Sequence, residues 1–454
     1  MESSQSSTSV TVAHVDESNP GRVDCPSLLR NVPYEVLSYI FVLCSCNHSV
    51  ELPYDKTNIP CQVILSQVCS QWCQVALSTG ALWNNVVISD RGIDGDYAHS
   101  LSLYKTWIDR ADAHSLTVTL ELSVCSLNVQ TVFQDFVIPF QIKMLNITLK
   151  YEDFHKLSKF ATLNVEEFAI SLTKVRRRKH FATPRFINKA RRICLRGAVF
   201  DDPGHFQATL KELCLPCRQL RSLQCRLASA FLSSLLDILR QVPSLEQCHL
   251  TIYGIECGHA IGISMPNLRW LTLKLKRSVD PDIVIPLLAA PNLTKLVIYS
   301  YHNWSVNTYD ILRRHHKLHQ LQQIELGGLL PIRVAQVLVD APMIHELRID
   351  GQPVVDAEAL EGIASGRLGR HLSSLYLGDD CFDHALVGKC LDMIEARQRH
   401  VNAMVTQVSN WQQMLTGIRL VEFQGVYNRM ACEERVVALK ALGTTVTQRM
   451  AWRR

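Results

Sequence analysis

The sequence predicts an α/β fold in which a short strand, a turn and a helix repeat along most of the chain. From about residue 115 the pattern Leu-x-x-Leu-x-Leu recurs, often just after a proline. Alternating apolar positions are typical of a strand with one buried face. Amphipathic segments, such as 231–239 and 332–339, lie between the copies. Because one unit cannot bury its own apolar face, we expect the units to stack into a parallel sheet with helices outside.

The spacing of the copies indicates the kind of repeat. Consecutive copies are separated by about 23–30 residues as far as Leu372, and the final gap of about 46 residues is expected to hold two units. This period is close to that of leucine-rich repeats, although the asparagine expected after each strand is mostly missing. The prediction is therefore an irregular leucine-rich-repeat solenoid. The copies begin at Ile142, Val165, Ala190, Leu220, Leu245, Leu268, Leu293, Leu321, Ile344, Leu372 and Ile418.

Two amphipathic helices are predicted ahead of the repeats, over 32–41 and 64–76. Pro33 suits the first position of a helix, since the N–H that proline lacks would have no partner there. Apolar residues fall on one stripe of each helix at helical spacing. The loop between the helices contains Pro53 and Pro60 and can continue neither helix.

The two ends of the chain differ from the repeats. Residues 1–26 are polar and rich in serine and threonine, which predicts a disordered tail. One longer helix is predicted over 383–411, either as an insertion on the array or as the start of a cap. The expected organisation is a helical module over 27–90, a solenoid over 91–425 and a C-terminal helical cap over 426–454.

Composition favours a folded intracellular protein. Apolar residues make up 47% of the 454 residues, charged residues make up 20%, and the net charge is only +5. This balance does not call for a nucleic-acid or membrane partner. The N-terminal residues lack the basic and apolar regions of a secretion signal. We therefore expect a cytoplasmic or nuclear location, with most of the 16 cysteines reduced and used as small core residues.

Several short motifs have a structural interpretation that is favoured over a chemical one. Cys214 and Cys217 have CxxC spacing but no further ligand pair nearby, so core cysteine is favoured over zinc or redox chemistry. A metal site of Cys44, Cys46, Cys61 and His48 is likewise disfavoured. The residues His315, His316 and His319 are expected on a solvated helix, and the basic run 176–179 on a solvated loop, with a nuclear-import signal or anionic-partner patch as its alternative. No catalytic, metal or cofactor site is predicted.

The N-terminal helices resemble an F-box, and the layout that follows them is similar to the large F-box families of fungi. The family begins its first helix with Leu-Pro, where this chain has Val32-Pro33, and its second helix carries Leu-x-x-Val-Cys-x-x-Trp-x-x-x-Ala, matched from Leu65 to Ala76. The interhelix loop, 44–61, is longer than in compact F-boxes. The resemblance implies adaptor-binding residues Val32, Pro33, Leu37, Ile40, Phe41, Leu65, Val68, Cys69, Trp72, Ala76, Leu82 and Trp83.

The resemblance implies a substrate-recognition subunit of a cullin-based ubiquitin ligase. The F-box would bind a Skp-type adaptor, and through it a cullin, while the solenoid would hold an unknown substrate protein. The alternative is a solenoid scaffold that joins no ligase, with the two helices serving as an N-terminal cap whose apolar stripes are both buried internally. A catalytic function would need a cleft of perturbed titratable groups that the sequence does not reveal.

Overall fold

The structure is a computed structural model, which describes most of the chain between residues 32 and 449. The described residues are 32–45, 50–52, 59–89, 97–111, 114–122, 129–150, 153, 156–157, 160, 164–173, 189–197, 219–227, 232–255, 261–301, 304–305, 307–378, 384–405, 415–424 and 429–449. The predicted tail 1–26, the basic run 176–179, the pair Cys214 and Cys217, and the residues Cys46 and His48 lie outside them.

The fold is mixed α/β and is built on one open parallel sheet. Within the described residues fifteen strands form this sheet, and each lies beside the next one along the chain. Two further short strands, β9 and β11, pair with each other outside it. The strands are β1 Val50–Leu52, β2 Asn85–Ser89, β3 Leu116–Leu122, β4 Ile142–Lys150, β5 Glu167–Thr173, β6 Arg192–Gly197, β7 Ser222–Leu227, β8 Gln247–Ile252, β9 Ile263–Ser264, β10 Trp270–Leu275, β11 Leu288–Ala289, β12 Lys295–Ser300, β13 Gln323–Arg333, β14 Glu346–Val354, β15 Ser374–Gly378, β16 Leu420–Gln424 and β17 Thr445–Arg449.

Helices pack on one face of this sheet and share a continuous apolar core with it. In β10 the inward residues are Leu271, Leu273 and Leu275, whereas Trp270 and Lys274 face the other way. We call that second side the open face. The α-helices are α1 Tyr34–Ser45, α2 Cys61–Ser66, α3 Ser70–Ser78, α4 Tyr97–Ala111, α5 Val129–Phe136, α6 Leu232–Gln241, α7 Pro281–Val284, α8 Thr308–His315, α9 Val334–Asp340, α10 Ala357–Ser365, α11 His384–Val405 and α12 Arg429–Ala441.

The predicted positions of all eleven copies coincide with strands of the large sheet. Each strand from β4 onwards in the large sheet, up to β16, begins at or within two residues of the predicted start of its copy. Leu271 and Leu296 lie directly opposite each other in β10 and β12, and both are fully buried. Side chains of the Pro-Asn-Leu turns join successive units, because Asn267 and Asn292 donate to the carbonyls of Pro243 and Pro266 at 3.0 and 2.7 Å.

The final gap contains one unit, so the prediction of two was wrong. Strand β15 pairs directly with β16, and the long helix α11, which was predicted, lies between them in the chain. Arg397 anchors this helix to the neighbouring segments, and its side chain is fully buried. The guanidinium donates hydrogen bonds to several backbone carbonyls, among them those of Ile363 at 3.0 Å, Gly369 at 2.8 Å and Thr416 at 2.9 Å. Burial lowers the pKa of Arg397 to about 10.

The two ends of the sheet also differ from the prediction. Residues 50–52, assigned to an irregular loop, form β1 and pair in parallel with β2. The expected C-terminal helical cap contains helix α12 but also strand β17, so it continues the repeat. A three-residue strand carries too little alternation to be recognised from its own sequence, and its partner in a parallel sheet is distant along the chain.

Candidate docking surface on the first helices

Helix α1 carries apolar side chains on two opposite faces. Leu37 and Phe41 point inward and are buried. The outward stripe follows the i, i+3, i+4, i+7 spacing of a single helix face. Tyr39 is 65% exposed on this stripe, more than any of its neighbours. We call it the α1 stripe, and its members are Val36, Tyr39, Ile40 and Leu43.

The next two helices extend the apolar character of this end of the molecule. Ile64 in α2 and Val68 in the following turn are both about half exposed. The sequence from 57 to 89 contains no Asp, Glu, Lys or Arg, and α1 contains only Glu35. Nine of the seventeen exposed large apolar side chains in the described part of the chain lie between Tyr34 and Leu77. Such a concentration marks an interaction surface rather than ordinary scatter.

Contacts between α1 and α3 fix the orientation of the stripe. The rings of Phe41 and Trp72 pack with centroids 4.8 Å apart. The hydroxyls of Ser38 and Thr79 lie 2.9 Å apart, and Tyr34 Oη lies 2.5 Å from Ser78 Oγ. Because the inward face of α1 is held by these contacts, the outward stripe is presented in one arrangement.

The helices are joined to the sheet through Trp83. Its indole N–H donates to the carbonyl of Ala76 in α3 at 2.9 Å. Its ring packs edge-on against Trp107 of α4 at 4.7 Å, and the Arg110 guanidinium lies 4.7 Å from the same ring. Together with the pairing of β1 and β2, this contact makes the helices the first layer of the array rather than a separate module.

The adaptor-binding residues implied by the F-box resemblance divide by burial. Five are buried and support the helices from inside: Leu37, Phe41, Ala76, Leu82 and Trp83. Four are partly buried, namely Val32, Leu65, Cys69 and Trp72, and three are exposed, namely Pro33, Ile40 and Val68. The predicted single helix over 64–76 is broken, because Cys69 is extended and α3 begins at Ser70. The implied set leaves out four exposed apolar residues, which are Val36, Tyr39, Leu43 and Ile64. The scarcity of charged residues around them, with Glu35 as the one exception in α1, is the signal that could have revealed them.

The other motifs have structural positions. His316 was expected on a solvated helix, but it is buried, and burial lowers its pKa to about 4, whereas His315 and His319 are exposed. Burial, followed by the proximity of Cys44, raises the pKa of the Cys61 thiol. Within the described ranges no group of three His, Cys, Asp or Glu side chains is arranged as a metal site.

A groove of about 420 Å³ crosses the open face from β3 to β7. Small and polar side chains form its floor, among them Thr119, Asn146, Ala169 and Cys194.

No helix in the described segments is both long and apolar enough to cross a lipid bilayer. Comparison with protein-family models gives no matching family, and comparison with curated proteins gives no matching protein.

Proposed function

We propose that this chain is a substrate receptor of a cullin-based ubiquitin ligase. In this proposal α1 to α3 form the F-box and bind a Skp-type adaptor. The sheet is a solenoid of leucine-rich-repeat type whose open face receives the substrate protein. The chain itself catalyses nothing, and its role is to fix the distance between the captured substrate and the catalytic subunits.

The α1 stripe is the observation that carries the proposal. The end of a repeat array is normally closed by a unit with a polar outer face, since that face meets water. Here the outer face of the first layer presents Val36, Tyr39, Ile40 and Leu43, with Glu35 as the one charged residue of the helix. An apolar helix face at this position is stabilised when a partner covers it.

The rival function, a scaffold outside any ligase, accounts for only part of this arrangement. A simple cap would bury the apolar stripe of each of the two helices internally. Leu37 and Phe41 do serve as such a cap. The α1 stripe lies on the opposite side of the helix and contributes nothing to that core, so a scaffold would still need a separate partner for it.

A binding measurement with a matched control tests the proposal. The full chain is used, because Trp83 and β1 tie the helices to the sheet. Calorimetry with a recombinant Skp-type adaptor should detect a complex, and Val36→Asp should weaken it by about 2 kcal/mol or more, because a charge would be desolvated at the contact. Val437→Asp places the same change on α12, where the valine is 60% exposed, and should leave the affinity unchanged.

Two results would contradict the proposal. The first is that the folded chain gives no heat of binding with the adaptor at micromolar concentrations. The second is that Val36→Asp and Val437→Asp bind as tightly as the unmodified chain. The first result would favour the scaffold function, and the second would show that the adaptor contact does not involve the α1 stripe.

A further inference from the structure

The open face changes in charge along the sheet. Across β6, β7, β8, β10 and β12 the outward positions carry five cations and no carboxylate. The whole chain, in contrast, has 47 basic and 42 acidic residues. We call this region the basic face. Its cations are Arg192, Arg196, Arg226, Lys274 and Lys295.

Four of these cations have no carboxylate partner in the described part of the chain. Arg192 pairs with Glu167 at 2.9 Å, at the edge of the basic face. Arg196 and Arg226 lie directly opposite each other in β6 and β7. Their polar neighbours are neutral, since Arg196 Nε lies 3.3 Å from the Cys194 sulfur and the Gln224 amide lies beside Arg226. Like charges directly opposite on a sheet repel, and an anion between them would relieve this repulsion.

The two lysines are held in place by aromatic rings. Lys295 Nζ lies 4.3 Å from the centroid of Trp270, and Lys274 Nζ lies 5.5 Å from that of Tyr299. His249 lies within this group and packs against Trp270 at 4.9 Å. Burial, and after it the charges of Arg226, Lys295 and Lys274, lower the pKa of His249, which agrees with a positive local field.

Acidic residues on the flanking strands bound the basic face. On one side stands Glu167, paired with Arg192. On the other side, in β13, Glu325 accepts a hydrogen bond from the Tyr299 hydroxyl, and its Oε1 lies 2.9 Å from Arg348 Nε. The five strands between these limits span about 19 Å at the usual strand spacing, which is the length of about six extended residues.

We propose that the basic face binds an extended polypeptide segment rich in Asp and Glu. The cations supply charge complementarity, and the rings that hold the lysines reduce the side-chain entropy lost on binding. Stacking of nucleic-acid bases needs free aromatic faces, whereas Trp270 already contacts Lys295 and His249. That such a segment marks the substrate of a ligase rests on the proposed function. Binding of the segment itself needs no adaptor.

Fluorescence anisotropy with the full chain and no adaptor tests this inference. The probe is a labelled octapeptide rich in glutamate, and its control is the same peptide with glutamine in place of every glutamate. The glutamate peptide should bind and the glutamine peptide should not. Arg196→Gln combined with Arg226→Gln should weaken binding at least about tenfold.

A matched double variant separates local binding from net charge. Arg240→Gln with Arg313→Gln makes the same change in charge on α6 and α8, on the helical side of the sheet, and should leave binding unchanged. Failure of the unmodified chain to bind the glutamate peptide would overturn the inference. So would equal losses in the two double variants, or tighter binding of a single-stranded oligonucleotide of equal charge. None of these results depends on the adaptor.

Discussion

Replacing Trp83 with alanine should loosen the first layers of the array together. The ring is fully buried and its indole N–H donates to Ala76. A buried tryptophan removes about 200 Å² from water, which at about 25 cal/mol per Å² corresponds to about 5 kcal/mol. Such truncations lower the free energy of unfolding by about 3–5 kcal/mol, so we expect about 4 kcal/mol here. This corresponds to a roughly thousandfold larger equilibrium constant for opening of these layers.

Hydrogen exchange followed by mass spectrometry measures where that stability is lost. Protection should fall in 34–45 and 61–89, in α4 through the contact of Trp83 with Trp107, and in β3 through its pairing with β2. It should then recover towards the centre of the sheet, because each unit packs mainly on its neighbours. Trp270→Ala, which removes a partly exposed tryptophan from the open face, should cost only about 1 kcal/mol. Loss confined to the helices would refute the continuity of helices and sheet.

Three further outcomes follow from the packing. Leu271→Asp buries an unpaired charge and should abolish capture of the acidic segment. Hydrogen exchange should show lost protection over 245–300 with the helices at 34–78 unaffected, and equal loss of protection in both regions would mean one cooperative unit. Arg397→Met should lower the free energy of unfolding, measured by chemical denaturation, by about 3 kcal/mol, because several carbonyls lose their hydrogen-bond donor. Arg399→Met removes only an exposed ion pair and should lower it by under about 1 kcal/mol. Added reductant or chelator should leave the melting temperature nearly unchanged; a large drop would indicate a native disulfide or a structural metal.

The repeat units could be predicted because their signal is local. Alternation such as Leu271, Leu273 and Leu275 assigns the inward face of a strand without knowledge of its neighbours. Since the units stack in chain order, a correct strand also gives its correct partners. The long helix α11 was predicted by the same reasoning. The gap contains only one unit because this helix accounts for much of its length.

The docking surface could be predicted only in part. Helix α1 is apolar on two faces, and periodicity alone cannot tell which stripe is buried: Leu37 faces inward while Ile40, three residues later, is exposed. The contacts that decide this, from Phe41 to Trp72 and from Ser38 to Thr79, join segments about 30 to 40 residues apart. The basic face was missed for the same reason, because its cations come from strands that are distant in the chain and become neighbours only through parallel pairing. Arg196 and Arg226, for example, are 30 residues apart in the sequence and directly opposite each other in the sheet.

Hydrogen exchange of the full chain with and without a saturating Skp-type adaptor tests the central claim most directly. We expect slower exchange in 34–45 and 61–78, the segments that carry or support the α1 stripe. Exchange in β6, β7, β8, β10 and β12 should not change, since three strands of the sheet separate the basic face from β2, which follows the helices. A stable complex whose protection lies in the sheet, with 34–45 unchanged, would contradict the assignment of the α1 stripe as the adaptor-binding surface.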